Sequence, residues 1–408
     1  DKNLHLDNLS VSFGKNGRLK ARGDLDLSSM TFKGLLDGKL LVGKFLSAED
    51  FPVMNDILLS NRLSDIEVIV GNYSITTFSG NLSASVSIPE LDAFKIHMKD
   101  VKMSTTVSFD EKEKPGIRID KARLTFNQVE YLDFSGELNH RAKSLSGDFS
   151  GKVMPTRFHA ALDEKTRAEI DQVLVFGKEP FSFSGHLDKF SRDFKDIHAS
   201  VLLKLASLRI YESDYKDISA RVSLDGARIR ASDIKASTPA GNSIDGELEY
   251  CMPDDHFFIS LHSAGNPAFV CKTSTGKARK TLDELYGSVS WPEKNESVEM
   301  TARINFFMKP TPCYNLVGNI VLCDFAYKGV KFDYGAASFI VDSDNMNLLP
   351  RIVLQQGKDS ALISLAYDNR QDPALFPAAK ALTVPAKGTD KLYFDIDSTL
   401  PGNSILKI

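Results

Sequence analysis

Apolar and polar residues alternate along nearly the whole of this 408-residue chain, and a period of two is the mark of a β-strand with one shielded face. The pattern runs through Leu9, Val11 and Phe13, through Leu82, Ala84, Val86 and Ile88, and through Val101, Met103, Thr105, Val107 and Phe109. It continues in Ile117, Ile119, Ala122, Leu124 and Phe126, in Leu203 and Leu205, and in Ile218, Ala220, Val222 and Leu224. Further examples are Ile244, Leu248 and Tyr250, then Phe257, Ile259 and Leu261, then Met300, Ala302, Ile304 and Phe306, and finally Ala361, Ile363, Leu365 and Tyr367. Short breaks such as Gly14-Lys15-Asn16-Gly17, Asp225-Gly226 and Gly357-Lys358-Asp359 separate the runs. Connections this short join antiparallel neighbours, so the expected fold is mainly β, a long and repetitive antiparallel sheet.

Helical periodicity is confined to a few places. Helices are expected over Leu162 to Val173 and over Lys277 to Tyr286, with Leu282 and Leu285 in the latter. A third is expected to open at Ser47-Ala48-Glu49-Asp50, which resembles a capping box ahead of Val53, Met54, Ile57 and Leu58, and a short fourth to follow Pro373. Amphipathic helices spaced through a meander read as caps on an open apolar edge.

They also expose an internal repeat. Pro155 and Pro267 differ by 267 − 155 = 112, and Ile170/Leu282, Asp171/Asp283 and Val173/Leu285 keep that offset. Leu187 then answers Ile304, and Tyr211 answers Tyr327. The implied organisation is an N-terminal β-rich segment at 1–146, β repeat units with a helix at 147–258 and 259–368, and the truncated start of a third unit at 369–408. Units that share a core with their neighbours build quasi-linear proteins.

Charge excludes one class of partner. The 50 Lys and Arg are interleaved with 54 Asp and Glu, whereas a nucleic-acid surface needs a concentrated basic field, so no nucleic acid is expected. No run approaches the roughly 18 apolar residues of a membrane-spanning helix. The chain opens at Asp1-Lys2-Asn3-Leu4 directly into a strand pattern, and a targeting or anchoring segment is expected to have been removed. Cys251, Cys271, Cys313 and Cys323 contain no Cys-x-x-Cys spacing, which argues against zinc or a redox centre. They are expected as buried thiols, with one or two disulfides as the alternative.

Catalytic patterns are absent. Around Thr275-Gly276-Lys277-Ala278, Cys271 stands where a phosphate loop has its first glycine and Ala278 where it has Ser or Thr. The histidines at 5, 97, 140, 159, 186, 198, 256 and 262 lack helical metal-ligand spacing. Asp254-Asp255 and Asp342 with Asp344 read as solvated turns. Trp291 is expected to begin a strand and belong to the core. No enzyme activity, cofactor or metal is expected.

The chain supplies apolar area instead. A single antiparallel layer with one apolar face must hide it against a second layer, helices or a ligand, and a few short helices cannot cover so many strands. The residues expected to line an apolar trough are Leu203, Leu205, Ile218, Ala220, Val222, Ile320, Leu322, Phe339, Val341, Ile363 and Leu365.

One segment carries a resemblance. Gly318 to Asp333, containing Tyr327-Lys328-Gly329, followed by Ala337-Ser338-Phe339, Leu348-Leu349-Pro350 and Ile352-Val353-Leu354, resembles the strand and Tyr-x-Gly turn succession of AsmA-like and TamB-like envelope proteins of diderm bacteria. Leu4 to Leu27 is similar to the N-terminal hairpins of that family. The resemblance implies a β-sheet curled into a hydrophobic groove of the bridge-like lipid-transfer type. It further implies a periplasmic place, anchoring in the inner membrane through a segment outside this chain, and other envelope proteins as partners. The expected function is non-enzymatic binding or conduction of lipid acyl chains, with phospholipid first. The alternative is a structural or adhesive β scaffold with a closed, dry core that binds a protein partner.

Overall fold

The computed structural model describes residues 3–44, 57–59, 62–77, 79–93, 96–109, 116–139, 144–159, 163–190, 197–273, 276–292, 297–308, 313–342, 347–368 and 391–407. The chain is mainly β, with 70% of it in strands and every described pairing antiparallel. It divides into two compact units. The first comprises Asp1–Gln172, Phe176–Leu205 and Ser223–Gly226, and the second comprises Val173–Val175, Ala206–Val222 and Ala227–Ile408.

In the first unit the strands Asn3–Ser12, Gly17–Asp26, Thr31–Leu40, Ser64–Ser74, Ser79–Ala93 and Ile96–Phe109 pair in chain order. The order continues through Gly116–Thr125, Tyr131–Asn139, Ser144–Val153 and Phe181–Phe190 to the start of His198–Ile210. In the second unit, Arg228–Ser237, Ser243–Cys251, His256–Ala264, Val298–Phe307 and Cys313–Tyr327 pair in order, followed by Val330–Asp342, Asn347–Gln356, Asp359–Asp368 and Lys391–Ser398. The strands belong to one large antiparallel sheet that is not closed. Among the described residues Asn3–Ser12 pairs only with Gly17–Asp26, and Lys391–Ser398 only with Asp359–Asp368.

Local chemistry sets the connections. Tyr327 faces Val330 across Lys328-Gly329, whose φ angles of 45° and 81° suit the two-residue turn that matches strand twist, and glycine takes its second position without strain. The Asp163 carboxylate accepts from Thr166 N at 3.0 Å and Thr166 Oγ1 at 2.7 Å, capping the helix Glu164–Val173.

One pairing detour recurs along the chain. Strand Thr31–Leu40 pairs with Ser64–Ser74, past the short strand Ile57–Leu59, which pairs instead with Ser79–Ala93. The same detour is made by Leu174–Phe176, which pairs with His198–Ile210, and by Val289–Ser290, which pairs with Cys313–Tyr327. Their starts are separated by 174 − 57 = 117 and 289 − 174 = 115 residues, so the motif occurs a third time in the N-terminal part, where sequence spacing did not reveal it.

Several local expectations are corrected. The helix expected from Ser47 falls outside the described residues up to position 56, and Ile57 and Leu58 belong to a strand. The helix expected after Pro373, and Leu162, also lie outside them. Trp291 follows the strand Val289–Ser290 and does not begin one, but it packs against the large buried cluster as expected and stacks on Tyr286 with centroids 5.1 Å apart. Leu285 is 56% exposed, because the helix Gly276–Gly287 is tied down on another side, through that stack and the hydrogen bond from Tyr286 Oη to Asn266 Oδ1.

Buried residues gather in clusters. Ile88, Leu91, Met98 and Val101 form one in the first unit. In the second, Tyr215 and Ile244 pack with Phe269 of the helix Ala268–Thr273. Val298, Leu322, Phe325, Val330, Phe332, Leu354, Ala361, Ile363 and Leu400 form the largest.

Candidate functional site

Register aligns the apolar side chains into rows that cross strand after strand. In the first unit Val11, Leu19, Gly38, Ile66, Val86, Met103, Leu124, Leu132, Gly151, Phe183 and Leu203 are successive direct partners over eleven strands. The adjacent row is Leu9, Ala21, Leu36, Val68, Ala84, Thr105, Ala122, Phe134, Phe149, Gly185 and Val201. Thr105 is its one polar member. Gly151 is the sole buried residue of the two rows, and Met103 is 46% exposed.

The second unit repeats this on fewer strands. Ala231, Leu248, Ile259, Ile304, Leu316 and Val341 form one row of direct partners, every one half-buried. Parallel to it run Ala236, Ile244, Ser263, Met300, Ile320, Ala337, Ile352, Ile363 and Ile396. Beyond these lie Val298, Leu322, Gly335, Leu354 and Ala361, all buried. Burial therefore rises toward the margin where Phe269 and Leu400 pack, and falls away from it.

The opposite face is charged. Arg228 pairs with Glu249 at 3.3 Å, Arg230 with Glu247 at 2.8 Å and His262 with Glu299 at 2.9 Å. In the first unit Lys39 pairs with Asp65 at 3.0 Å, and Arg123 Nε donates to Asp133 at 2.6 Å, holding that carboxyl below its usual range. Adjacent positions thus point to chemically opposite sides.

Ile320, Leu322, Phe339, Val341, Ile363 and Leu365 share the apolar face of the second unit. Ile320, Phe339, Val341 and Leu365 are half-buried, while Leu322 and Ile363 are buried in the large cluster. Ile218 packs against the Tyr215 cluster, Ala220 is buried and Val222 is half-buried. Leu203 stands opposite Phe183 in the first unit, and Leu205 lies two residues along the same strand; both are half-buried. Sequence reasoning missed nearly all of the first unit's two rows, including Phe134, Phe149 and Phe183. The available signal was a run of glycines at strand spacing, such as Gly147 and Gly151.

Among the described residues no group of three or more His, Cys, Asp or Glu is placed to hold a metal ion. His5, His186 and His198 pair with Asp24, Asp148 and Asp225, and His256 stacks on Phe307. The Asp255 carboxylate accepts from Tyr250 Oη at 3.0 Å. All four cysteines are free; Cys271 is buried and Cys313 exposed. No described helix is long and apolar enough to cross a membrane. No family description, curated protein or solved structure matches the chain.

Proposed function

We propose that the chain is a non-enzymatic lipid-binding protein whose apolar rows form a groove for acyl chains. The observation that carries this reading is the pair of eleven-strand rows in the first unit, apolar almost throughout and half-buried or exposed at every position but Gly151. Ten interstrand steps of about 4.8 Å give such a row a path of about 48 Å, long enough for an acyl chain to lie along it. At about 0.8 kcal/mol per buried methylene, partial shielding of one fatty chain supplies on the order of 10 kcal/mol. The backbone amides stay paired within the sheet, and headgroups remain in water.

The resemblance of Gly318 to Leu354 to AsmA-like and TamB-like proteins supports a place in the periplasm and a part in envelope lipid transport. Packing of Leu322 and Ile363 in a closed cluster favours the scaffold alternative at that margin alone. Organic extraction of the purified chain followed by mass spectrometry tests the proposal. Phospholipid in amounts comparable to protein is expected, and an extract free of lipid from protein that also takes up none from vesicles would overturn it.

A further inference from the structure

Four phenylalanine rings are laid down across the sheet onto a glycine of the neighbouring strand. Two do so reciprocally. Between Ser144–Val153 and Phe181–Phe190, Phe149 faces Gly185 and Phe183 faces Gly151. Cζ of Phe183, the ring atom farthest from its own backbone, lies 2.6 Å from the point that a Cβ on Gly151 would occupy. Cζ of Phe149 lies 3.0 Å from the equivalent point on Gly185, and the two ring centroids are 6.1 Å apart. Phe339 leans on Gly318 and Phe325 on Gly335 in the same way, whereas Phe32 and Phe134 lean along their own strands onto Gly34 and Gly136.

Glycine weakens a strand, so its repeated use under phenylalanine needs a compensating gain. Phe325 sits in the packed cluster of the second unit, but Phe149, Phe183 and Phe339 are half-buried and outside it. A ring whose tip reaches the next strand's backbone rises above the sheet by about one carbon layer, about 3.5–4 Å. An upright ring would project by its full length. Glycine is what permits the lower posture, because any side chain there would occupy the place of the ring tip.

The geometry points to a clearance device: the phenylalanine-glycine pairs hold the aromatic rows low, so that an extended, unbranched acyl chain crosses them without meeting an upright side chain. This inference rests on the lipid-binding reading above and adds the residues that decide which ligand shape the face accepts. The reciprocal pair of Phe149 and Phe183 is its strongest instance, since each ring occupies the space its partner's strand leaves open.

The test is titration of the full chain, stripped of lipid, with a fluorescent polyene fatty acid, on variants whose thermal melts show them folded. Phe183→Ile, branched at Cβ and unable to lie across Gly151, is expected to weaken binding roughly fourfold, the equivalent of about one lost methylene contact. Phe183→Ala removes the ring without raising anything, and it is expected to bind more tightly than Phe183→Ile although it has lost apolar contact. Gly151→Ala lifts the ring and is expected to behave as Phe183→Ile does, and the double variant Gly151→Ala/Phe183→Ala to recover. Should Gly151→Ala fail to fold, the comparison of Ile with Ala at position 183 decides by itself. A ranking of Phe over Ile over Ala, which bulk apolar contact alone would produce, overturns the clearance device and leaves lipid binding standing, as does equal binding by all variants. A wild-type chain that binds no fatty acid overturns both.

Discussion

The side chain of Glu130, only 5% exposed, accepts from Arg157 Nε at 2.6 Å and from Arg157 Nη2 at 2.9 Å. It also accepts from the backbone N of Met154 at 2.9 Å, fastening the end of strand Ser144–Val153 and the helix Pro155–His159 to the turn after Gly116–Thr125. The Arg157 hydrogen bonds, with those of Met154 and Asn127, hold the carboxyl below its ordinary range despite burial.

That depression fixes a pH dependence. A carboxyl whose folded pKa lies below its unfolded value near 4.3 stabilises the fold above about pH 4.3 and loses that contribution as pH falls through the folded value. Glu130→Gln is expected to cost about 2–3 kcal/mol at neutral pH. Urea unfolding of wild type and variant at pH 7 and pH 3 checks this, with the gap expected to shrink at the lower pH.

Leu322 and Val222 are predicted to respond differently to charge. The sequence pattern puts both in one apolar trough, where a charge should be tolerated. Leu322 is 8% exposed in the large cluster, so Leu322→Glu is expected to cost about 3–5 kcal/mol by leaving an unpaired buried ion. Val222 is half-buried, and Val222→Glu should cost about 1 kcal/mol while lowering co-purified lipid. Chemical denaturation alongside lipid extraction separates the two effects.

Two glycines with positive φ should likewise separate. A Cβ on Gly265, at φ +114°, would stand 2.8 Å from Asn242 Cγ, whereas Gly357, at φ +61°, has open space around it. Asn242 is 2% exposed and donates through Nδ2 to Asn266 O, so it cannot withdraw cheaply. Gly265→Ala is expected to destabilise by about 2–3 kcal/mol and Gly357→Ala by about 1 kcal/mol. Differential scanning calorimetry should rank their melting temperatures accordingly.

Thiol reactivity offers a third contrast. Burial raises the pKa of Cys271, which lowers its thiolate fraction at neutral and mildly alkaline pH. In the native chain Cys313 is expected to react first with a disulfide reagent and Cys271 last, with four thiols counted after unfolding without reductant. Mass mapping of the labelled peptides gives the order, and a count of two would contradict free cysteines.

The strands were legible in the sequence, because side-chain alternation is a property of each strand by itself. Runs such as Met300, Ala302, Ile304 and Phe306 read correctly without knowledge of any partner. The helices Glu164–Val173 and Gly276–Gly287 were legible for the same reason, since their periodicity is local, while the short helices Pro155–His159 and Ala268–Thr273 ahead of them were not. Register was not. Gly151 and Phe183 are 32 residues apart in sequence, and their encounter depends on where neighbouring strands shift by bulges, as between Leu145 and Gly147. Nor did the alternation that groups Leu322 with Val341 tell which would be covered. Tertiary packing decided that by bringing Leu400 and Ile405 onto one margin of the face, because burial depends on what a remote segment lays over a strand and not on the strand's own pattern.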